Sequence, residues 1–250
     1  MSTPHIASLS AEHLTLIVTQ FTVFAGALAA GLAGFAFSAI TGAVLFHLLA
    51  PIDAVPLLLA CSITTQVFSI SKLWHTMQWR QCLPYLLGGL AGIPIGAELL
   101  KAFNPHLFAA GFGVFMICYS LYMLLRPHVV FRGGGRYAEV AAGFAGGITG
   151  GATAFPGAFP TIWCSVKGLS KLEQRGIVQP FILLMQIATL VYFSKLGILA
   201  AGTLTTYVWC APAVAAGTWL GLQLFHRIDD KRFRQIVLLF LLFSGITLVA

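Results

Sequence analysis

Residues 14–51 form a run of 38 positions without one aspartate, glutamate, lysine or arginine. One straight helix needs about 20 apolar residues to cross the hydrocarbon core of a bilayer. The run is too long for a single span and too apolar for the surface of a soluble domain. Gly26, Gly31, Gly34 and Gly42 punctuate it. The same scarcity of charge holds throughout, with 8% charged and 58% hydrophobic residues, against about 25% charged in a soluble domain. This composition excludes an ordinary soluble enzyme, a disordered chain and a nucleic-acid binder, and makes the lipid bilayer the expected solvent. The first basic residue is Lys72, so the N-terminus lacks the basic region of a signal peptide and is expected to be retained. Five isolated cysteines form no C-x-x-C pair; they are expected to be apolar packing residues, with no disulfide framework or metal site.

Apolar stretches and charged loops divide the 250 residues into two similar programmes. An N-terminal segment, 1–13, precedes a first half, 14–125, made of a hairpin at 14–50 and spans at 54–71, 81–100 and 107–125. A basic, glycine-rich linker, 126–137, leads to a second half, 138–250. That half has a hairpin at 138–166 and spans at 177–194, 203–225 and 235–250. The expected fold is an all-α integral membrane protein, because lipid leaves no partner for free backbone groups. The ten-residue alternation of a membrane barrel is absent. Three matches relate the halves. Ala30 to Gly34 resembles Ala142 to Gly146, which sets Thr41 on Thr153. Val67 to Leu73 resembles Leu190 to Leu196. Ala91 to Gly96 resembles Ala216 to Gly221. If each hairpin enters and leaves on one side and three full spans follow, the halves point in opposite directions. One face then collects twelve lysines and arginines and the other two, whereas four crossings per half divide them eight to six. The positive-inside rule favours the inverted repeat, with the basic face cytoplasmic and both termini outside.

The hairpin centres carry the expected chemistry. Pro156 and Pro160 lack backbone donors, and the glycine runs favour an unwound chain. A helix that restarts inside the membrane turns free N–H groups and a positive dipole end toward the break, which is an anion site. Gly34, Gly147, Gly150 and Gly151 are expected to open the backbone there. Ser38, Thr41, Thr149 and Thr153 are expected to add hydroxyls. Gln66 and Gln186 are further ligand candidates, because a buried amide is costly without a partner. The alternative for the glycines is close helix packing in the small-xxx-small manner, and for the glutamines interhelical hydrogen bonding. All seven acids, Glu12, Asp53, Glu98, Glu139, Glu173, Asp229 and Asp230, fall near segment ends. No carboxylate or basic residue is expected at mid-span, so dipoles and hydroxyls are left to hold the anion. No cofactor is expected.

The paired glycine-rich hairpins, the apolar segment 54–62 after Pro51 and the pattern Gly92-x-x-x-Gly96-Ala97-Glu98-Leu99-Leu100 resemble the TauE/SafE sulfite-exporter family, also called the toluene-sulfonate uptake permease family. The resemblance covers nearly the whole chain. It implies a carrier of the bacterial inner membrane for sulfite, sulfonates or related small anions. Phe35-Ala36-Phe37-Ser38 stands where many relatives carry a glycine run. Phe35 and Phe37 are expected to shape the site toward an organic anion, and Phe155 in the second hairpin is a further candidate for contact with the solute.

Function is expected to be secondary transport of a small anion by alternating access. An inside-negative potential of 100 mV drives each negative charge outward with about 2.3 kcal/mol, which favours export. An anion channel, or an uptake permease coupled to sodium or protons, remains as an alternative. An intramembrane enzyme would need a nucleophile with a base at matching depth, and none is apparent.

Overall fold

The computed structural model describes residues 3–102, 104–125, 134–199 and 201–225, with scattered positions between 235 and 249. Nine α-helices can be followed without interruption: α1 (Thr3–Ala33), α2 (Phe37–Leu48), α3 (Pro51–Leu73), α4 (Trp79–Ala102), α5 (Pro105–Leu125), α6 (Gly135–Thr153), α7 (Ala158–Val166), α8 (Lys171–Lys195) and α9 (Ala201–Phe225); the described positions from 235 onward are helical as well. A 3-10 turn, Trp74–Thr76, follows α3. Among the described residues five helices are long and apolar enough to cross a membrane: Thr15–Ala33, Pro51–Thr76, Trp79–Ala102, Leu172–Lys195 and Gly202–Phe225. The chain is an all-α, multi-pass membrane protein. Leu83, Leu87 and Leu90 on α4 and Leu204, Val208 and Trp219 on α9 are exposed, as suits side chains in contact with acyl chains.

Local chemistry explains the ends. Pro51 opens α3, where a missing N–H costs nothing, and Asp53 lies in its first turn beside the positive dipole end. Ser170 and Glu173 form a capping box at the start of α8, with the Ser170 N–H donating to Glu173 Oε2 at 2.8 Å.

Two helix pairs hold the halves together through glycine. On α4, a Cβ at Gly88 would strike Val140 O, one at Gly92 would strike Phe144 O, and one at Gly96 would strike Ile148 O. From the α6 side, Gly143 meets Tyr85, Gly147 meets Gly89, and Gly151 meets Ile93 and Gly96. Backbone lies on backbone along the pair, which glycine alone permits. The other pair repeats this contact. Gly217 on α9 lies against Phe24 and Leu28 of α1, and Gly221 against Leu28 and Gly31. Gly92 and Gly96 become Gly217 and Gly221 at an offset of 125, and their partners Phe144, Ile148 and Gly151 stand 120 beyond Phe24, Leu28 and Gly31. The match of Ala91–Gly96 with Ala216–Gly221 is thus also a match of packing.

Several expectations change. The glycine run 146–151 lies inside α6, and the chain breaks only at 154–157; close packing on α4 and on Pro156 is what those glycines serve. The hairpins match at an offset of 120, so Thr41 corresponds to Thr161 instead of Thr153. The breaks set this register, whereas Ala/Gly strings fit several. Helix α6 begins at Gly135, inside the linker expected at 126–137, and residues 126–133 lie outside the described set. The loop expected at 167–176 is helical from Lys171, because the capping box starts α8 there. This puts Arg175 inside the bundle, buried in the second turn of α8 near its start. Helix α1 already runs from Thr3, within the N-terminal segment expected at 1–13. Of the span expected at 235–250, half of the positions are described, and those are helical; the others lie outside the described residues.

Candidate functional site: two helix breaks that meet

The first hairpin turns at Gly34, Phe35 and Ala36. Gly34 takes φ +85°, a left-handed conformation that suits glycine, and its N–H closes α1 on Ala30 O at 2.7 Å. Helix α2 then restarts without a side-chain cap. Its first helical bond runs from the Ile40 N–H to Ala36 O at 3.1 Å. The N–H groups of Phe37, Ser38 and Ala39 therefore have no acceptor within the helix. Ser38 Oγ and Thr41 Oγ1 are buried without a hydrogen-bond partner.

The second hairpin turns at Ala154, Phe155, Pro156 and Gly157. Ala154 takes φ 56°, and its N–H closes α6 on Gly150 O at 3.0 Å. Gly150 faces Pro156, whose ring a Cβ would crowd. Helix α7 also lacks a side-chain cap, and Pro160 in its first turn has no N–H. The first helical bond of α7 runs from the Thr161 N–H to Gly157 O at 3.0 Å. Thr161 Oγ1 is buried and unpartnered, like its counterpart Thr41.

A glutamine closes each break. Gln66 on α3 donates from Nε2 to Gly34 O at 3.0 Å. Gln186 on α8 donates from Nε2 to Ser62 Oγ at 2.8 Å and to Ala154 O at 3.4 Å. A carbonyl acceptor fixes which end of an amide faces it, so each Oε1 points away from the break carbonyl, and both are buried without a partner. Gln66 and Gln186 are themselves 120 positions apart.

The two breaks touch. A Cβ at Gly157 would lie 3.4 Å from Phe35 Cβ. The Phe35 and Phe155 rings stack with centroids 6.5 Å apart and planes 23° apart. Tyr119 of α5 meets both edge-on, at 6.3 and 6.0 Å. Phe115 of α5 stands against Phe155 at 6.3 Å and against Phe159 at 5.7 Å. An aromatic wall from α5 thus covers the junction.

Of the residues expected from sequence, Gly34, Phe35, Phe155, Gln66 and Gln186 gather at this junction, and Ser38 lies in the first turn of α2. Thr41 Oγ1 faces the Cα of Gly26 on α1. Thr149 donates its proton to Ala145 O and Gly146 O, both at 3.2 Å, and Thr153 donates to Thr149 O at 2.8 Å. Those two hydroxyl protons stay within α6. Gly147 and Gly151 lie on α4, and Gly150 on Pro156. Sequence reasoning missed Thr161 and Arg175, and it placed Gln179 inside a span without choosing it as a ligand. Arg175 donates from Nη2 to Gly31 O at 2.9 Å and from Nη1 to Leu32 O at 3.3 Å. The capping signature Ser170-x-x-Glu173 could have placed Arg175 on the same helix as Gln179.

A multi-pass helical bundle with two short helices that restart at buried breaks, one from each half of the chain, belongs to the class of membrane transport proteins built on broken helices. Residues 20–248 match the family described as sulfite exporter TauE/SafE. The chain belongs to this family of membrane transporters. No curated protein and no solved structure matches it.

Proposed function

We propose that the protein is a secondary carrier that exports a small sulfur-containing oxyanion, sulfite or an organosulfonate, from the cytoplasm across the bacterial inner membrane by alternating access. The observation that carries this reading is the meeting of the two breaks: Phe35 stacks on Phe155, and two capless helices begin beside them. Positive dipole ends and free N–H groups favour a negative solute at such a place. Amides from Phe35 to Ala39 and from Gly157 to Phe159, the Ser38 hydroxyl and the second Nε2–H of Gln66 would hold it, while Gln186, its Nε2 protons spent on Ser62 and Ala154, would fix the second break. The protein has no catalytic role in this reading.

An inverted arrangement of the halves supports alternating access. Ser62 of α3 meets Gln186 of α8, while Gln78, beyond the end of α3, donates to Gly176 O near the start of α8 at 2.8 Å. The two helices are counterparts, yet they run antiparallel. A two-fold axis relating antiparallel spans lies in the plane of the bilayer. Both termini then lie outside and the basic loops inside.

Proteoliposomes test this. Loaded with sulfite under an inside-negative potential, they are expected to release it at a rate that saturates with sulfite and rises with the potential. Stepwise conductance that does not saturate would make the protein a channel. Absence of efflux for sulfite and sulfonates alike would remove the anion reading.

A further inference from the structure

Helix α8 carries a charged cluster against the first break. Arg175 is 7% exposed and Gln179 1% exposed. The Arg175 guanidinium spends its two terminal nitrogens on Gly31 O and Leu32 O, and its carbon stands 4.6 Å from the centroid of the Phe225 ring. Its Nε has no partner, and neither does Nε2 or Oε1 of Gln179. The two nitrogens face the side of Gly34 that lacks a side chain: a Cβ built there would lie 3.3 Å from Gln179 Nε2 and 3.5 Å from Arg175 Nε. Gln66 reaches the same residue from α3. Among the described residues the ion pairs are Lys101 with Glu98 and Lys167 with Glu139, and no described carboxylate pairs with Arg175. A buried guanidinium, a buried amide with both ends empty and a missing Cβ converge on one spot.

We infer that Arg175 and Gln179 form the charge-binding pole of the anion site beside Gly34, and that they select a singly charged oxyanion, a sulfonate or sulfite in its hydrogensulfite form, over a doubly charged one. The inference rests on the anion-transport reading above. The Arg175 Nε–H and the Gln179 Nε2–H groups donate to solute oxygens. One buried positive charge is neutralised by one negative charge. A dianion leaves a net negative charge in a water-poor place, which is costly.

Methanesulfonate, with one charge, and sulfate, with two, are the probes, each competing with labelled sulfite flux in proteoliposomes. The wild type is expected to be inhibited by methanesulfonate and not by equal sulfate. Gln179→Leu gives up no hydrogen bond, so its melting temperature in detergent is expected to stay level or rise. The methanesulfonate concentration for half inhibition is expected to rise at least tenfold. Arg175→Lys keeps the charge without the Nε–H; it is expected to weaken competition while preserving the order of the two probes. Unchanged half inhibition in Gln179→Leu overturns the assignment, as does a wild type inhibited by both probes or by neither. A lysine variant that no longer prefers methanesulfonate overturns the charge argument. A wild type that moves no anion overturns the transport reading and this inference together. Sulfite flux with an indifferent Gln179→Leu overturns this inference alone.

Discussion

Gly147→Val is expected to give no folded protein. Its Cβ would fall on the backbone of Gly89, at the O, C and Cα atoms. A flexible side chain can move aside; a peptide group in the middle of α4 can move only if the two helices part. Overpacking a core with one or two methyl groups costs about 1–3 kcal/mol where neighbours can shift, and this position has no such neighbour. Parting α4 from α6 would also lift Gly88, Gly92 and Gly96 from their partners. Gly221→Val should do the same to the counterpart pair, since its Cβ would meet Leu28 O and Gly31 Cα. Gly111 and Gly202 supply the controls, because a Cβ at either meets nothing within 4 Å. Size-exclusion profiles in detergent should show the first two variants aggregated or absent and the valine controls monodisperse.

Replacing both glutamines, Gln66→Leu with Gln186→Leu, is expected to lower sulfite flux roughly a hundredfold. Each amide satisfies the carbonyl of a residue in left-handed conformation, Gly34 in one half and Ala154 in the other. A buried carbonyl left alone costs about 1–3 kcal/mol, and each 1.4 kcal/mol is tenfold in an equilibrium. The breaks should therefore relax and the site lose its shape, while the spans stay packed through their glycines. Each variant also removes an Oε1 that now has no protein partner. Either single change is expected to cost about tenfold if the two breaks serve one site. Flux unchanged in the double variant, with normal folding, would mean that the solute passes elsewhere.

How far the sequence reveals this structure depends on what kind of signal each residue leaves. Absence of charge marks the spans, and the spacing of charged loops separates the halves. Gln66, Gln186, Phe35 and Phe155 stand out because polar or bulky residues beside glycine in an apolar run demand a reason, and these four do meet. The glycines are ambiguous by nature. Gly34 opens the backbone, while Gly147 and Gly151 bring two backbones together, and both uses leave the same letter. In the second break the left-handed position is not a glycine; the surrounding packing holds Ala154 at φ 56°. Arg175 ends, and Gln179 follows, a charge-dense stretch from Lys171 that resembles a loop by composition. The cap at Ser170 makes it the first turns of α8 and carries both side chains under the first break.

The central claim is that the two breaks form one anion site. Selenite is chemically close to sulfite, and its selenium scatters anomalously. Crystals of the protein grown with selenite should show one selenium peak within hydrogen-bond reach of the groups around Gly34, Arg175 and Gln179, beside the Phe35–Phe155 stack. A peak far from both breaks, or none at a concentration that saturates flux, would contradict the account.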